Sequence, residues 1–135
     1  MDTPVDALAE AARSVQNKVG EQNLWKAVLG LPAWYFIAKG IGADAEPMVA
    51  AVEGRPMLLA FTEEERAEAF TRHLESKKGP PRPGVLEMDV PDAVDYARQL
   101  EDLGVDTILF NNGEYSFSCT MTRLKDMHGR YAPRR

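Results

Sequence analysis

Residues 48 to 75 read MVAAVEGRPMLLAFTEEERAEAFTRHLE, and this stretch constrains the fold more than any other. Two short apolar runs, Met48 to Val52 and Pro56 to Phe61, flank Glu53-Gly54-Arg55. That is the pattern of two strands joined by a tight turn. Pro56 lacks a donor N–H and suits the first residue of its strand. The second run leads through Thr62 into an amphipathic helix. Thr62 followed three residues later by Glu65 matches a capping box, in which the hydroxyl accepts from the Glu65 amide and the carboxylate reaches back. The three carboxylates of Glu63, Glu64 and Glu65 also complement the positive end of the helix dipole. The spacing of Ala67, Phe70, Thr71 and Leu74 predicts the buried face, with the helix ending near Ser76 before the loop KKGPPRPG. The turn positions two strands, and the helix covers one face of their sheet.

The flanking sequence extends this pattern in both directions. Thr3-Pro4 with Asp6 predicts a helix start, and Val5, Leu8, Ala12, Val15 and Val19 recur at helical spacing. Gly20 is expected to stop that helix, and Asn23 to cap a shorter one with Leu24, Trp25, Val28 and Leu29 facing inward. Ala33 to Lys39 is apolar on both faces and reads as a well-buried strand, followed by a loop from Gly40 to Pro47. Leu86, Met88 and Val90 alternate with Glu87 and Asp89, as in a strand solvated on one side. Pro91 opens a helix whose Ala93, Val94, Ala97, Leu100 and Leu103 are expected in the core, and Gly104 ends it. Val105 to Phe110 is a further strand, and Asn112-Gly113 is the strongest hairpin signal in the chain. A two-residue loop there predicts Phe110 opposite Tyr115 and Ile108 opposite Phe117, with Ser116, Ser118 and Thr120 on the other face. The fold expected is α+β, a mixed α/β layout. It is a single small domain with a mixed, mainly antiparallel sheet of about five to six strands packed by three to four helices.

At 135 residues the chain is long enough for one domain with a single core. The domain is expected to span residues 1 to 122, with 1 to 30 as a helical segment. Residues 123 to 135 carry five basic side chains against one acidic. The net charge of −5 therefore divides into +4 on this basic tail and −9 on the first 122 residues. An acidic body repels nucleic acid and anionic membrane, so neither is an expected partner. The tail reads as a solvated, partly frayed terminus, with an interaction arm as the alternative. Leu31 to Ala38, the longest nearly uninterrupted apolar stretch, is far short of the roughly 20 residues a bilayer demands. With an acidic amino terminus, no secretory signal is expected. A single cysteine rules out an internal disulfide, and the combination predicts a cytoplasmic setting.

Chemistry-bearing patterns are sparse. Gly40-Ile41-Gly42-Ala43-Asp44-Ala45 fits G-x-G-x-x-A, but that motif requires a helix beginning at its end, and Pro47 and a strand follow instead. Successive helix positions point Glu63, Glu64 and Glu65 in different directions, so they do not converge on one ion. Cys119 falls in the inward register of its strand and reads as a buried, inert thiol, and His73 as a boundary residue. No catalytic residue, cofactor or metal site is therefore expected. Trp25, Trp34, Tyr35 and Phe36 lie within a dozen residues and are expected in the core. Exposure of Trp25 or Tyr35 would instead supply an anchor for a protein partner.

The segments LPAWYFIA (31–38), PMVAAVEGRPMLLAFTEEERAEAF (47–70) and GVDTILFNNG (104–113) resemble the amino-terminal domain of the SseB family, named for enhanced serine sensitivity. The likeness covers about two-thirds of the chain. It implies a small mixed α/β module and brings no catalytic residues with it. The first helix and the basic tail have no counterpart in the resemblance. The function expected is a non-enzymatic binding or regulatory module that engages a protein partner or self-associates. The alternative is a small-molecule sensor, or an unrecognised enzyme, with a pocket near Trp34, His73 and Cys119.

Overall fold

A computed structural model of the chain describes residues 4–14, 18–39, 45–78, 84–113 and 116–131. Its elements run α1 (Pro4–Ser14), α2 (Lys18–Leu29), β1 (Ala33–Lys39), β2 (Glu46–Pro47), β3 (Val49–Val52), β4 (Arg55–Ala60), α3 (Glu64–Lys78), β5 (Val85–Asp89), α4 (Val90–Asp102), β6 (Thr107–Phe110), β7 (Phe117–Thr120) and α5 (Met121–Tyr131). The α+β class and the mainly antiparallel pairing are as the sequence predicts. Among the described residues the strands divide between two sheets, β2-β1-β5 and β3-β4-β6-β7, in which only β4 and β6 run parallel. The sheets touch where Tyr35 and Phe61 exchange backbone hydrogen bonds of 2.9 and 2.8 Å.

The hairpin at the centre of the chain forms as expected. Val52 pairs with Arg55, and both connecting residues have positive φ, 52° at Glu53 and 79° at Gly54. This is the two-residue turn whose twist matches that of the flanking strands. Arg55, rather than Pro56, therefore opens β4. Trp34, Phe36 and Ile37 are fully buried, so β1 is enclosed on both faces. The larger core holds Trp25, Trp34, Phe110 and Leu124 with apolar residues of α1, α2, α4 and α5. A smaller one, Ile37, Leu59, Phe61 and Ala67, lies under α3, where Thr71 is also buried and Phe70 half-buried.

Several local expectations give way to tertiary packing. Gly20 does not stop a helix: it is buried inside α2, and Asn23 is an exposed mid-helix residue rather than a cap. The roughly 1 kcal/mol propensity penalty of glycine is small against packing of α2 on α1 and the core. Leu103 is 78% exposed, not core. Helix α4 ends at Asp102, and Gly104 at φ 94° reverses the chain, so that Val105 enters the core in its place. The basic tail is not a frayed terminus through residue 131. Met121, Leu124 and Met127 recur every three residues on the buried side of α5, and the basic residues occupy its outer side. Arg123 there pairs with Glu21 of α2 at 2.6 Å.

The β6–β7 register also differs by two residues. Phe110 faces Phe117 and Ile108 faces Cys119, so a six-residue connection from Asn111 to Ser116 replaces the two-residue loop. A shift of two preserves the inward face, because side chains alternate with period two. Ser118 and Thr120 accordingly remain exposed. The expectations for residues 40–44, 79–83 and 132–135, for Thr3, Val15 and Tyr115, and for the side chains of Val19 and Leu74 fall outside what is described.

Candidate binding cleft

The end of β6 and the start of α3 are locked together by two residues far apart in sequence. Asn111 is 1% exposed and adopts φ 54°, a left-handed conformation that asparagine tolerates better than most residues. Its Oδ1 accepts the Thr62 N–H and its Nδ2 donates to Thr62 Oγ1, each at 3.0 Å, and its own N–H bonds the Ala60 carbonyl at 2.9 Å. The Thr62 hydroxyl donates to the Glu63 carboxylate. The capping box between Thr62 and Glu65 is therefore not formed. The first helical bond runs from the Ala67 N–H to the Glu63 carbonyl, which makes Glu63 the boundary residue and moves the helix start one position later.

Helix α3 then projects Arg66, Ala69, Phe70 and His73 from one face, as the spacing of three and four dictates. Arg66 is fixed from two sides. Its Nε donates to Glu63 Oε1 at 3.2 Å, and its Nη2 to Asp6 of α1, whose carboxylate is fully buried. Phe70 packs on Phe61 at 5.5 Å between ring centroids and on His73 at 6.4 Å. Together with Asn111, Asn112 and Gly113 of the β6–β7 connection, these side chains line an open cleft of about 400 Å³. The floor is aromatic; the rim carries a guanidinium, amides and an exposed imidazole.

The residues singled out in the sequence scatter. His73 belongs to the cleft. Trp34 and Cys119 belong to the larger core and do not line this cleft. Trp34 is fully buried and donates its indole N–H to the Val28 carbonyl at 2.9 Å. Trp25 is 2% exposed, edge-on to Phe110 and Phe117, and so presents no anchor to a partner. Tyr35 is half-buried, and its hydroxyl is pushed up by burial and then by the carboxylates of Glu87, Glu64 and Glu65. Burial pushes the Cys119 thiol up to about 12, with Arg123 opposing and Glu21 adding slightly. Such a thiol is protonated near neutrality and is a weak nucleophile.

Asp6, Arg66 and Asn111 escape the linear reading for different reasons. Arg66 shares a helical face with Phe70 and His73, a signal visible in the spacing. The Asp6–Arg66 and Asn111–Thr62 pairs span 60 and 49 residues, and no local pattern joins such positions. Among the described residues, no group of three His, Cys, Asp or Glu side chains is placed to hold a metal ion, and no helix is long and apolar enough to cross a membrane. No protein-family model matches the chain, and no curated protein matches it.

Proposed function

We propose that the chain is a non-enzymatic binding module that accepts an apolar or aromatic side chain of a protein partner in the cleft between α3 and the β6–β7 connection. The observation that carries this reading is the cleft's construction. The half-buried ring of Phe70, backed by buried Phe61, lies beside polar side chains that are held in place by the Asn111–Thr62 and Asp6–Arg66–Glu63 bonds. Burying one partner side chain on Phe70 would contribute about 1.5–3 kcal/mol, the scale of an interface anchor. The single thiol, buried and shifted up to about 12, offers no competing nucleophilic chemistry.

The SseB-like resemblance belongs to the same proposal. Its three segments supply β1, the run from β2 into α3, and β6 with Asn111 to Gly113. These elements meet at the Tyr35–Phe61 bridge and the Thr62–Asn111 bonds, beside the cleft. The acidic charge and lone buried thiol support a reducing, cytoplasmic setting.

Ala69→Arg tests the reading, since Ala69 is exposed and a long side chain there fills the cleft without entering the core. A partner, or a second copy detected by light scattering, should be retained by the wild-type chain and lost by the variant. Equal retention by both, or a wild-type monomer with no partner, would sink the proposal. The volume of about 400 Å³ also lies in the range of small-molecule sites, roughly 300–1,000 Å³, and favours metabolite sensing as a second reading. A thermal-shift screen decides it: a ligand at 100 times its dissociation constant stabilises by about 2.7 kcal/mol. Absence of any shift with amino acids and nucleotides removes this alternative.

A further inference from the structure

We infer that α1 is a latch on the cleft: Asp6 holds Arg66 in the cleft wall, so docking of α1 and the shape of the cleft are coupled. Asp6 is a fully buried carboxylate in the first turn of a helix that is exposed along its other face. A buried carboxylate persists only where hydrogen bonds or an opposite charge compensate its lost hydration. Arg66 of α3, 60 residues away, is a cationic partner here. Arg66 is at the same time the guanidinium of the cleft rim and is steadied by Glu63. One side chain therefore belongs to two structures, the seat of α1 and the wall of the cleft.

Among the described residues, the other attachments of α1 are a few side chains and one main neighbour. Val5 and Ala9 enter the larger core, Leu8 and Ala12 pack at its margin, and the main neighbour of α1 is α2. Segments with few buried apolar side chains open locally, without global unfolding. Opening of α1 would part Asp6 from Arg66 and so change the cleft's polar wall. By linkage, an occupant that contacts the wall in its docked form holds α1 down by the factor by which α1 docking favours the occupant. This consequence rests on the cleft as the binding site, but the coupling itself does not.

Hydrogen exchange and methyl NMR on the full chain separate the two. In the wild type, α1 amides should exchange at least tenfold faster than those of β4 and β6 while remaining protected. Asp6→Asn and Arg66→Gln should each accelerate α1 exchange a further tenfold or more, and the double variant no more than either alone. Asp6→Asn should also shift the Ala69 methyl resonance, whereas Arg98→Gln, which breaks an exposed ion pair on α4, should leave it in place. Three results overturn the latch: α1 protection equal to that of β4 in the wild type, α1 exchange unchanged by Arg66→Gln, or an Ala69 resonance indifferent to Asp6→Asn. If a variant fails to fold, the wild-type comparison still decides. Failure of Ala69→Arg to affect partner retention would count against the binding reading and leave the latch standing.

Discussion

Replacing Asn111 by alanine should destabilise the protein by about 3 kcal/mol, for two separable reasons. The Asn111 side chain satisfies the buried Thr62 N–H and donates to its hydroxyl, both at 3.0 Å. Thr62 is 6% exposed, so losing the Oδ1 acceptor leaves a buried donor unmet, a loss of roughly 1–3 kcal/mol. The backbone at φ 54° adds a second term, because alanine in the left-handed region is strained by about 1–2 kcal/mol, while asparagine visits it routinely. Asn111→Gly loses the same hydrogen bonds but tolerates the dihedral, so it should lie about 1 kcal/mol above Asn111→Ala. Thr62→Val removes the hydroxyl while retaining the bond from the Thr62 N–H to Oδ1. Its effect should be non-additive with Asn111→Gly by at least about 0.5 kcal/mol. Urea unfolding followed by the fluorescence of Trp25 and Trp34, both buried, measures these differences as changes in midpoint at constant slope. The melting temperature of Asn111→Ala should fall by about 10 °C. Stability within about 0.5 kcal/mol of wild type, or Asn111→Gly less stable than Asn111→Ala, would refute this reasoning.

Three further outcomes follow from burial and charge. Because burial lifts the Cys119 thiol from an ordinary 9.0 to about 12, the neutral form is favoured by folding. Its contribution to stability is complete below pH 9 and declines as pH rises toward 12. Urea midpoints between pH 8 and 10.5 should therefore fall more steeply for wild type than for Cys119→Ala; parallel curves would contradict the shift. Tyr35 and Tyr96, both raised above 10.0 mainly by burial, add to the alkaline loss in both proteins. Leu103→Gln should change stability by less than about 0.5 kcal/mol, while Leu100→Ala three residues earlier should lose about 2–5 kcal/mol, read by the same urea titration. Leu124→Ala should lose a comparable 2–5 kcal/mol although it lies in the basic carboxy-terminal segment, whereas a solvated tail would show almost none.

Legibility followed the range of the interaction. The β3–β4 turn was readable because Glu53-Gly54 between two apolar runs settles a conformation within four residues, and both residues take the required positive φ. The burial of Trp34, Phe36 and Ile37 was readable from an uninterrupted apolar segment. Even the error in the β6–β7 register respected side-chain parity, so Cys119 was placed inward correctly while its partner was not. What failed depended on contacts across 49 or 60 residues. Thr62 looked like a helix cap because Glu65 follows it, but Asn111 and Glu63 take its hydroxyl. Asn112-Gly113 reads as a two-residue turn, but the Asn111 side chain is drawn to Thr62 and Phe110 pairs with Phe117, so the connection runs from Asn111 to Ser116.

The α+β class, the mainly antiparallel pairing, the central hairpin and the inward face of each long apolar segment were determined by sequence alone, because periodicity and turn chemistry are local and carry enough free energy to act unaided. The division into two sheets, the docking of α5, the exposure of Leu103 and the whole of the cleft were decided only in the tertiary structure. Arg66, Phe70 and His73 lie on one helix, but the cleft exists because Asn111 brings β6 against α3 and Asp6 reaches Arg66 from α1. Those bonds form between groups that no local pattern connects, and they hold because the finished core excludes the water that would otherwise compete for them.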